Sequence, residues 1–274
     1  MRREQKGVAL RSSQDLPGQD EDEPLLRQTR DSLRCSHRGE CSPRLLRSRW
    51  KNAVGRRYDP SSMVPLVVLG ATEFSAEIAD VIGDTGEYEV MAFVENDVPE
   101  RAGRDLDGIP ILWIDEAAAL AATHLAVCGL GTTQRSRFTE QAEAAGFRFA
   151  TVVHPRAHVS GTSTLGAGTI VGAGAIVAAH TTIGRHVIVN RGVLVGHHTV
   201  VGDHVSLQSG ANVAGICAIG EGTYVGMGAL ILNTISVGAH SVVGAGAVVT
   251  RNVPDHVQVV GIPAAIVREG IDGK

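Results

Sequence analysis

An aliphatic residue recurs at every sixth position from Val153 to Val249, and this regularity restricts the fold more than any other feature of the chain. The series is Val153, Val159, Leu165, Val171, Val177, Ile183, Val189, Val195, Val201, Leu207, Val213, Ile219, Val225, Ile231, Val237, Val243 and Val249, seventeen positions in one phase without a slip. A six-residue unit is a short strand plus a corner. Three units close a triangular coil of eighteen residues, and stacked coils bury one aliphatic from each side in a shared column. Glycine often follows the aliphatic, at 166, 172, 184, 196, 202, 220, 226, 238 and 244. As corner residues these glycines are expected to supply backbone conformations that a Cβ resists. Two positions before the aliphatic stands a small residue in most units, for example Ala175, Thr181, Thr199, Ala211, Thr223, Ser241 or Ala247, suited to the narrowing of the prism. Thirty-three glycines and only 4% aromatics fit such a narrow interior.

Residues 63–151 have another texture. The run Leu66-Val67-Val68-Leu69 ends in Gly70 and is followed by apolar positions at helical spacing around Ile78 and Ile82. A second strand over residues 88–94 ends in Glu95-Asn96-Asp97. A helix over 114–122, a strand over 125–128 ending in Gly129-Leu130-Gly131, and a helix over 134–145 follow. Strands alternating with helices predict βαβ units and a parallel sheet, a small Rossmann-like α/β block.

Charge separates a third region. Residues 1–62 carry 14 of the 25 Lys and Arg and 9 of the 29 Asp and Glu, a net +5 against −9 for the rest. A basic segment suits nucleic acid or anionic lipid, but without hydrophobic periodicity this one reads as a solvated, disordered tail. Met63, directly before the first strand, is an alternative start. No apolar run reaches the length of a membrane span, and no signal-peptide stretch opens the chain. Cys35, Cys41, Cys128 and Cys217 have no metal-ligand spacing and read as reduced thiols of a cytoplasmic protein.

The repeat array resembles the hexapeptide-repeat acyltransferases. Joined to a Rossmann-like block, it is similar to the sialic-acid O-acetyltransferase-like and bacillosamine-pathway sugar acetyltransferases. The resemblance covers residues 64 to about 269, including the closing segments Val249-Thr250-Arg251-Asn252-Val253-Pro254 and Gly261-Ile262-Pro263-Ala264. It implies an α/β acceptor-binding domain over 63–151 and an all-β left-handed parallel β-helix over 152–269, a winding opposite to the usual crossover rule. It also implies a homotrimer with active sites between protomers, acetyl-CoA as acyl donor, and a sugar or nucleotide-sugar acceptor. Neither a metal nor a nucleic-acid partner is expected.

Acyl transfer from a thioester needs a base for the acceptor's proton and donors for the developing oxyanion. Histidine suits the first task. The stretch from Val195 to Ser206 matches the family's active-site segment and places His197 at the position of the catalytic base. Where the family commonly has an acidic residue that raises the base's proton affinity, this chain has His198. A second family histidine, at the acyl-CoA thioester, is replaced by Ser206. The resemblance places acyl-CoA against Gly215, Met227 and Ala245, although each also serves as a corner residue. It places the nucleotide-sugar against Thr72, Glu73, Phe74, Glu95, Asn96 and Gly129. There Thr72 and Ser75 stand in place of the later glycines of a phosphate-binding loop, and Glu73 adds negative charge. Phe74 suits stacking on a base and, equally, covering the sheet.

The remaining histidines form a lattice. His180 and His198, and likewise His186 and His204, are eighteen residues apart and therefore stack on one edge, with His240 two coils beyond His204. An outward polar ladder is the reading adopted. Two alternatives stay open: a γ-carbonic-anhydrase-like zinc lyase, which would use three histidines as ligands, and a trimeric scaffold without catalysis.

Overall fold

The computed structural model describes residues 63–274. The expected tail, with Cys35 and Cys41, lies outside the described residues. The α/β block opens with β1 (Val64–Leu69), in which Leu66, Val67, Val68 and Leu69 are all buried. A continuous apolar run is what a parallel strand covered on both faces requires. Helix α1 (Glu73–Thr85) follows. Its N-terminus is closed by a reciprocal cap, Ser75 N–H donating to Thr72 Oγ1 and Thr72 N–H to Ser75 Oγ. Then come β2 (Tyr88–Glu95), β3 (Asp105–Leu106), β4 (Ile109–Trp113), α2 (Ile114–Ala117), β5 (Leu125–Cys128), α3 (Ser136–Ala144) and β6 (Arg148–Phe149).

The sheet order is β3-β4-β2-β1-β5-β6, with β4, β2, β1, β5 and β6 parallel and β3 antiparallel to β4. The β3–β4 hairpin was not anticipated from the sequence. The helix expected over 114–122 is α2 followed by a 3-10 turn, Ala118–Leu120, and α3 is preceded by another, Thr133–Arg135.

From Val152 the chain winds into a three-sided parallel β-helix of two-residue strands. Each strand pairs with the one eighteen residues on: Ile170 with Ile188, Leu194 with Asn212, Val200 with Ala218. Three sheets result, called here the first (containing Ile170–Val171), second (Ile176–Val177) and third (Thr182–Ile183) faces. The column aliphatics from Val171 to Val249 are all buried, while Val153, Val159 and Leu165 are half-buried at the open first coil. The expected column is therefore present.

The small residues two positions before the aliphatics carry more than size. Thr169, Thr181, Thr199 and Thr223 each donate an Oγ1 hydrogen bond to a carbonyl fifteen residues on, and Cys217 Sγ does the same to Leu232. At a corner the ladder hydrogen bonds are interrupted, so these hydroxyls satisfy backbone groups that would otherwise be buried without partners.

The role expected of the corner glycines needs correction. From Gly168 to Gly246 the residue three positions after every column aliphatic has positive φ, and this site is filled by glycine, by His180, His186, His198, His204 and His240, and by Ile216 and Thr234. Histidine tolerates this region better than most residues. The glycines directly after the aliphatic are required for another reason. A Cβ at Gly196, Gly202 or Gly220 would lie 2.5, 2.7 or 2.4 Å from the backbone of the following coil. Close stacking of coils, rather than a left-handed turn, selects glycine there.

The described residues belong to one compact unit. The first face carries the α/β block: the outward side chains Val152, Ile170, Ile188 and Ser206 are buried, and Val152 and Ile170 share a core cluster with Ile78 and Ile82 of α1. The second face is open, exposing Ile176 and Leu194 one above the other and, beyond Asn212, Leu230.

Candidate active site

Each corner between the second and third faces presents two residues in succession, and coils stack them. His197 and His198 lie above Gly215 and Ile216 in this way, with His180 one coil before His198. His197 and His198 are exposed, and their Nδ1 atoms are 3.0 Å apart, one donating to the other. The two rings meet edge to face, and His180 packs against His198 at 4.8 Å between centroids. The imidazole of His197 lies over Gly215. A Cβ on that glycine would sit 2.8 Å from His197 Nε2 and 2.9 Å from Cε1. Gly215 thus gives the ring its resting place, a role the sequence reading had not assigned to it. Thr199 fixes the corner from inside, donating to Ala214 O and accepting from Cys217 N–H. Ile216, a β-branched residue at φ 61°, is 57% exposed. That conformation is unfavourable for such a side chain.

Met227 and Ala245, the other expected donor contacts, stack on a different edge, between the first and second faces, where Met227 O accepts from Gly246 N–H. Met227 is exposed. One copy of the chain therefore carries its histidine pair and these residues at opposite margins of the open second face.

Ser206 corrects the expectation. Its side chain is wholly buried beneath the α/β block, accepts from Arg135 Nη1 at 2.7 Å and donates to Gly131 O at 3.3 Å. It makes no surface that a thioester can reach in this conformation.

The expected acceptor residues gather at the carboxyl rim of the parallel sheet. The strand order reverses between β1 and β5, so the loops after them, residues 70–72 and 129–132, diverge around a crevice. This is where open α/β sheets bind ligands. Within it the residues have distinct fates. Thr72 caps α1. Glu73 is exposed in the first helical turn, where the helix dipole favours a carboxylate. Phe74 is half-buried on the core, its ring against Gly131. Gly129 is tightly enclosed: its carbonyl accepts from Ser75 Oγ, and a Cβ would lie 2.8 Å from Val68 Cγ1. Asn96 Nδ2 donates to Gln141 Oε1 at 2.9 Å.

Glu95 is buried and its carboxylate is engaged internally, accepting from Asn96 N–H, Asp97 N–H and Arg101 Nη1, each at 3.0 Å. Burial alone would push its carboxyl up. The backbone donors and Arg101 outweigh that and hold it below its ordinary value. Glu95 thus organises the loop after β2.

At the junction of block and coil, one buried group escaped sequence reasoning and another was read as outward. Arg135 is 1% exposed, and burial draws its guanidinium down to about 10 while leaving it charged at neutral pH. Nothing in a single sequence marks it out from other arginines. His186 is also buried, against Phe149 and stacked on His204, so it does not belong to an outward ladder. Burial, with the positive neighbours His204, Arg185 and Arg135, lowers its imidazole to about 4. Cys128, likewise buried, is a free thiol pushed up to about 11 by burial, and Cys217 is free and buried too. A cavity of about 300 Å³ opens on the remaining edge, between the start of α3 and Asp203, His204, Glu221 and His240, away from His197.

Among the described residues no three His, Cys, Asp or Glu side chains of one copy are grouped to hold a metal ion. None of the described helices is long and apolar enough to cross a membrane.

No protein-family model matches the chain, and no curated protein does. Solved structures do. One is a histidine variant of perosamine N-acetyltransferase from Caulobacter crescentus in complex with CoA and GDP-perosamine, at 29% identity and TM-score 0.70, covering 75% of this chain and 97% of that one. Another is the acetyltransferase domain of PglB from Neisseria gonorrhoeae in complex with acetyl coenzyme A, at 29% identity and TM-score 0.69, covering 75% and 100%. A third is WeeI from Acinetobacter baumannii, at 25% identity and TM-score 0.69, covering 74% and 99%. Over nearly their whole lengths these proteins, two of them described as acetyltransferases, share the architecture of this chain.

Proposed function

We propose that this protein transfers an acetyl group from acetyl-CoA to an amino group of a nucleotide-linked sugar, with His197 as general base. The observation that carries the reading is the pose of His197: exposed, laid over a glycine, with Nδ1 hydrogen-bonded to His198. In the base-competent tautomer His197 Nδ1–H donates to His198 Nδ1, which leaves the lone pair on Nε2. The acceptor amine attacks the thioester carbonyl carbon, and Nε2 takes its proton. The tetrahedral intermediate collapses with cleavage of the C–S bond, and the same proton passes to the departing sulfur, giving the acetamido sugar and CoA. His198 orients the ring and accepts a hydrogen bond as charge develops on it. An imidazole in this place supplies less stabilisation than a carboxylate would.

The acceptor's nucleotide is assigned to the crevice between β1 and β5, beside Phe74, Asn96 and Gly129, and the donor to the neighbourhood of Gly215, Met227 and Ala245. Because Met227 and Ala245 stand across the second face from His197, one complete site requires two copies. The exposed apolar side chains Ile176, Leu194 and Leu230 between those edges support assembly through this face as a homotrimer. Two relatives are described bound to CoA or acetyl coenzyme A and one of these also to GDP-perosamine, which supports the choice of donor and acceptor class.

The test is thiol release from acetyl-CoA with a panel of nucleotide amino sugars and their hydroxyl counterparts. Turnover is expected with an amino sugar and reduced by about 10²–10⁴-fold in His197→Ala, the usual worth of a general base. Unchanged turnover in that variant would remove His197 from the mechanism.

A further inference from the structure

We propose that Arg135 is a positioning residue for the acceptor half of the reaction, holding the loop after β5 at a set height above the β-helix. The proposal rests on the acetyl-transfer reading above. Arg135 follows that loop in sequence and sends its guanidinium into the first face. Nε and Nη2 donate to His186 O at 3.0 and 2.6 Å, and Nη2 also to Val205 O at 2.9 Å. Nη1 donates to Ser206 Oγ at 2.7 Å and turns back to Thr132 O.

Five hydrogen bonds match the five N–H donors an arginine has, and no carboxylate is among the partners. A guanidinium buried with only neutral acceptors is costly unless every donor is used, so the site accepts one geometry and little else. The pair Arg135 and Ser206 then fixes two consecutive carbonyls of the crevice loop, Gly131 through Ser206 Oγ and Thr132 through Nη1. Gly131 itself lies against Phe74: a Cβ there would be 3.4 Å from Phe74 Cδ1. Loop and β-helix, which carry the two halves of the proposed site, are thereby locked together. Arg135 is enclosed with every donor occupied, so it touches neither substrate and acts only through the loop.

The experiment compares wild type, Arg135→Lys and Ser206→Ala by steady-state kinetics in both substrates. Lysine keeps the charge but offers three donors instead of five. Ser206→Ala breaks the link to Gly131 at smaller cost and serves if the lysine variant does not fold. The KM for the nucleotide sugar is expected to rise by about tenfold or more in either variant, because displacement of a binding loop by part of an ångström costs that much. The KM for acetyl-CoA is expected to stay unchanged. A loss confined to the fraction of active protein, with both KM values unaltered, would show a purely structural role and overturn the proposal. Equal rises in both KM values would overturn it too. If wild type releases no thiol with any acceptor, the acetyl-transfer reading and this proposal fall together, an outcome distinct from active wild type with unshifted variants.

Discussion

Gly215→Ala isolates the placement of the imidazole proposed as general base from the stability of the coil. The added Cβ would lie 2.8 Å from His197 Nε2 and 3.1 Å from Cδ2, with side-chain atoms as its three nearest neighbours. To restore ordinary contact at about 3.5 Å the ring must retreat by roughly 0.7 Å. His197 is exposed, so it can swing outward without disturbing the core, and Gly215 has no positive φ to strain. Folding stability should therefore change by no more than about 0.5 kcal/mol. Turnover should suffer, because a misplacement approaching 1 Å costs up to about a hundredfold; a loss of about tenfold in kcat/KM for the acceptor is expected. The control is Gly196→Ala one coil earlier. Its Cβ would meet Ala214 C and Gly215 N at 2.5 Å, backbone atoms that no rotamer change can move. That variant should lose stability, by about 2 kcal/mol or more, through overpacking. Thermal denaturation and thiol-release kinetics on both variants provide the readouts. If Gly215→Ala folds normally and turns over at the wild-type rate, the ring position over Gly215 is not the productive one.

Two further outcomes are expected. The folded-state value of His186 lies near 4, below its ordinary 6.5, so between those limits the unfolded chain binds a proton that the folded chain refuses. Stability should fall as pH drops from about 6.5 to 4, by on the order of 2–3 kcal/mol, and be unaffected by this group above 6.5. Denaturant midpoints across that range should flatten in His186→Asn, a residue that tolerates the φ of 55°; an unchanged slope would refute the assignment. Ile216→Gly should stabilise by about 0.5–1 kcal/mol, because left-handed strain of about 1–2 kcal/mol outweighs the entropy glycine adds to the unfolded chain. A lower melting temperature instead would mean that the Ile216 side chain is engaged in a contact between copies.

Much of the coil was legible in the sequence because its bonding is repetitive and near in register: each strand meets the one eighteen residues away, and the aliphatic at every sixth position needs no information beyond the repeat. His197 was singled out by the resemblance of residues 195–206 to a family segment and not by the repeat; the structure places it at a corner between the second and third faces. What the repeat could not specify was the surroundings of each face. Ser206 occupies the same slot in its unit as Leu194 and Val200, yet it is buried and they are exposed, because the α/β block lies on the first face alone. The clamp from Arg135, the burial of His186 and the internal engagement of Glu95 depend on side chains brought together from distant parts of the chain. A period states which way a residue points. Only the tertiary structure decides what it meets there, since docking of a non-repeating block distinguishes three faces that the hexapeptide pattern makes alike.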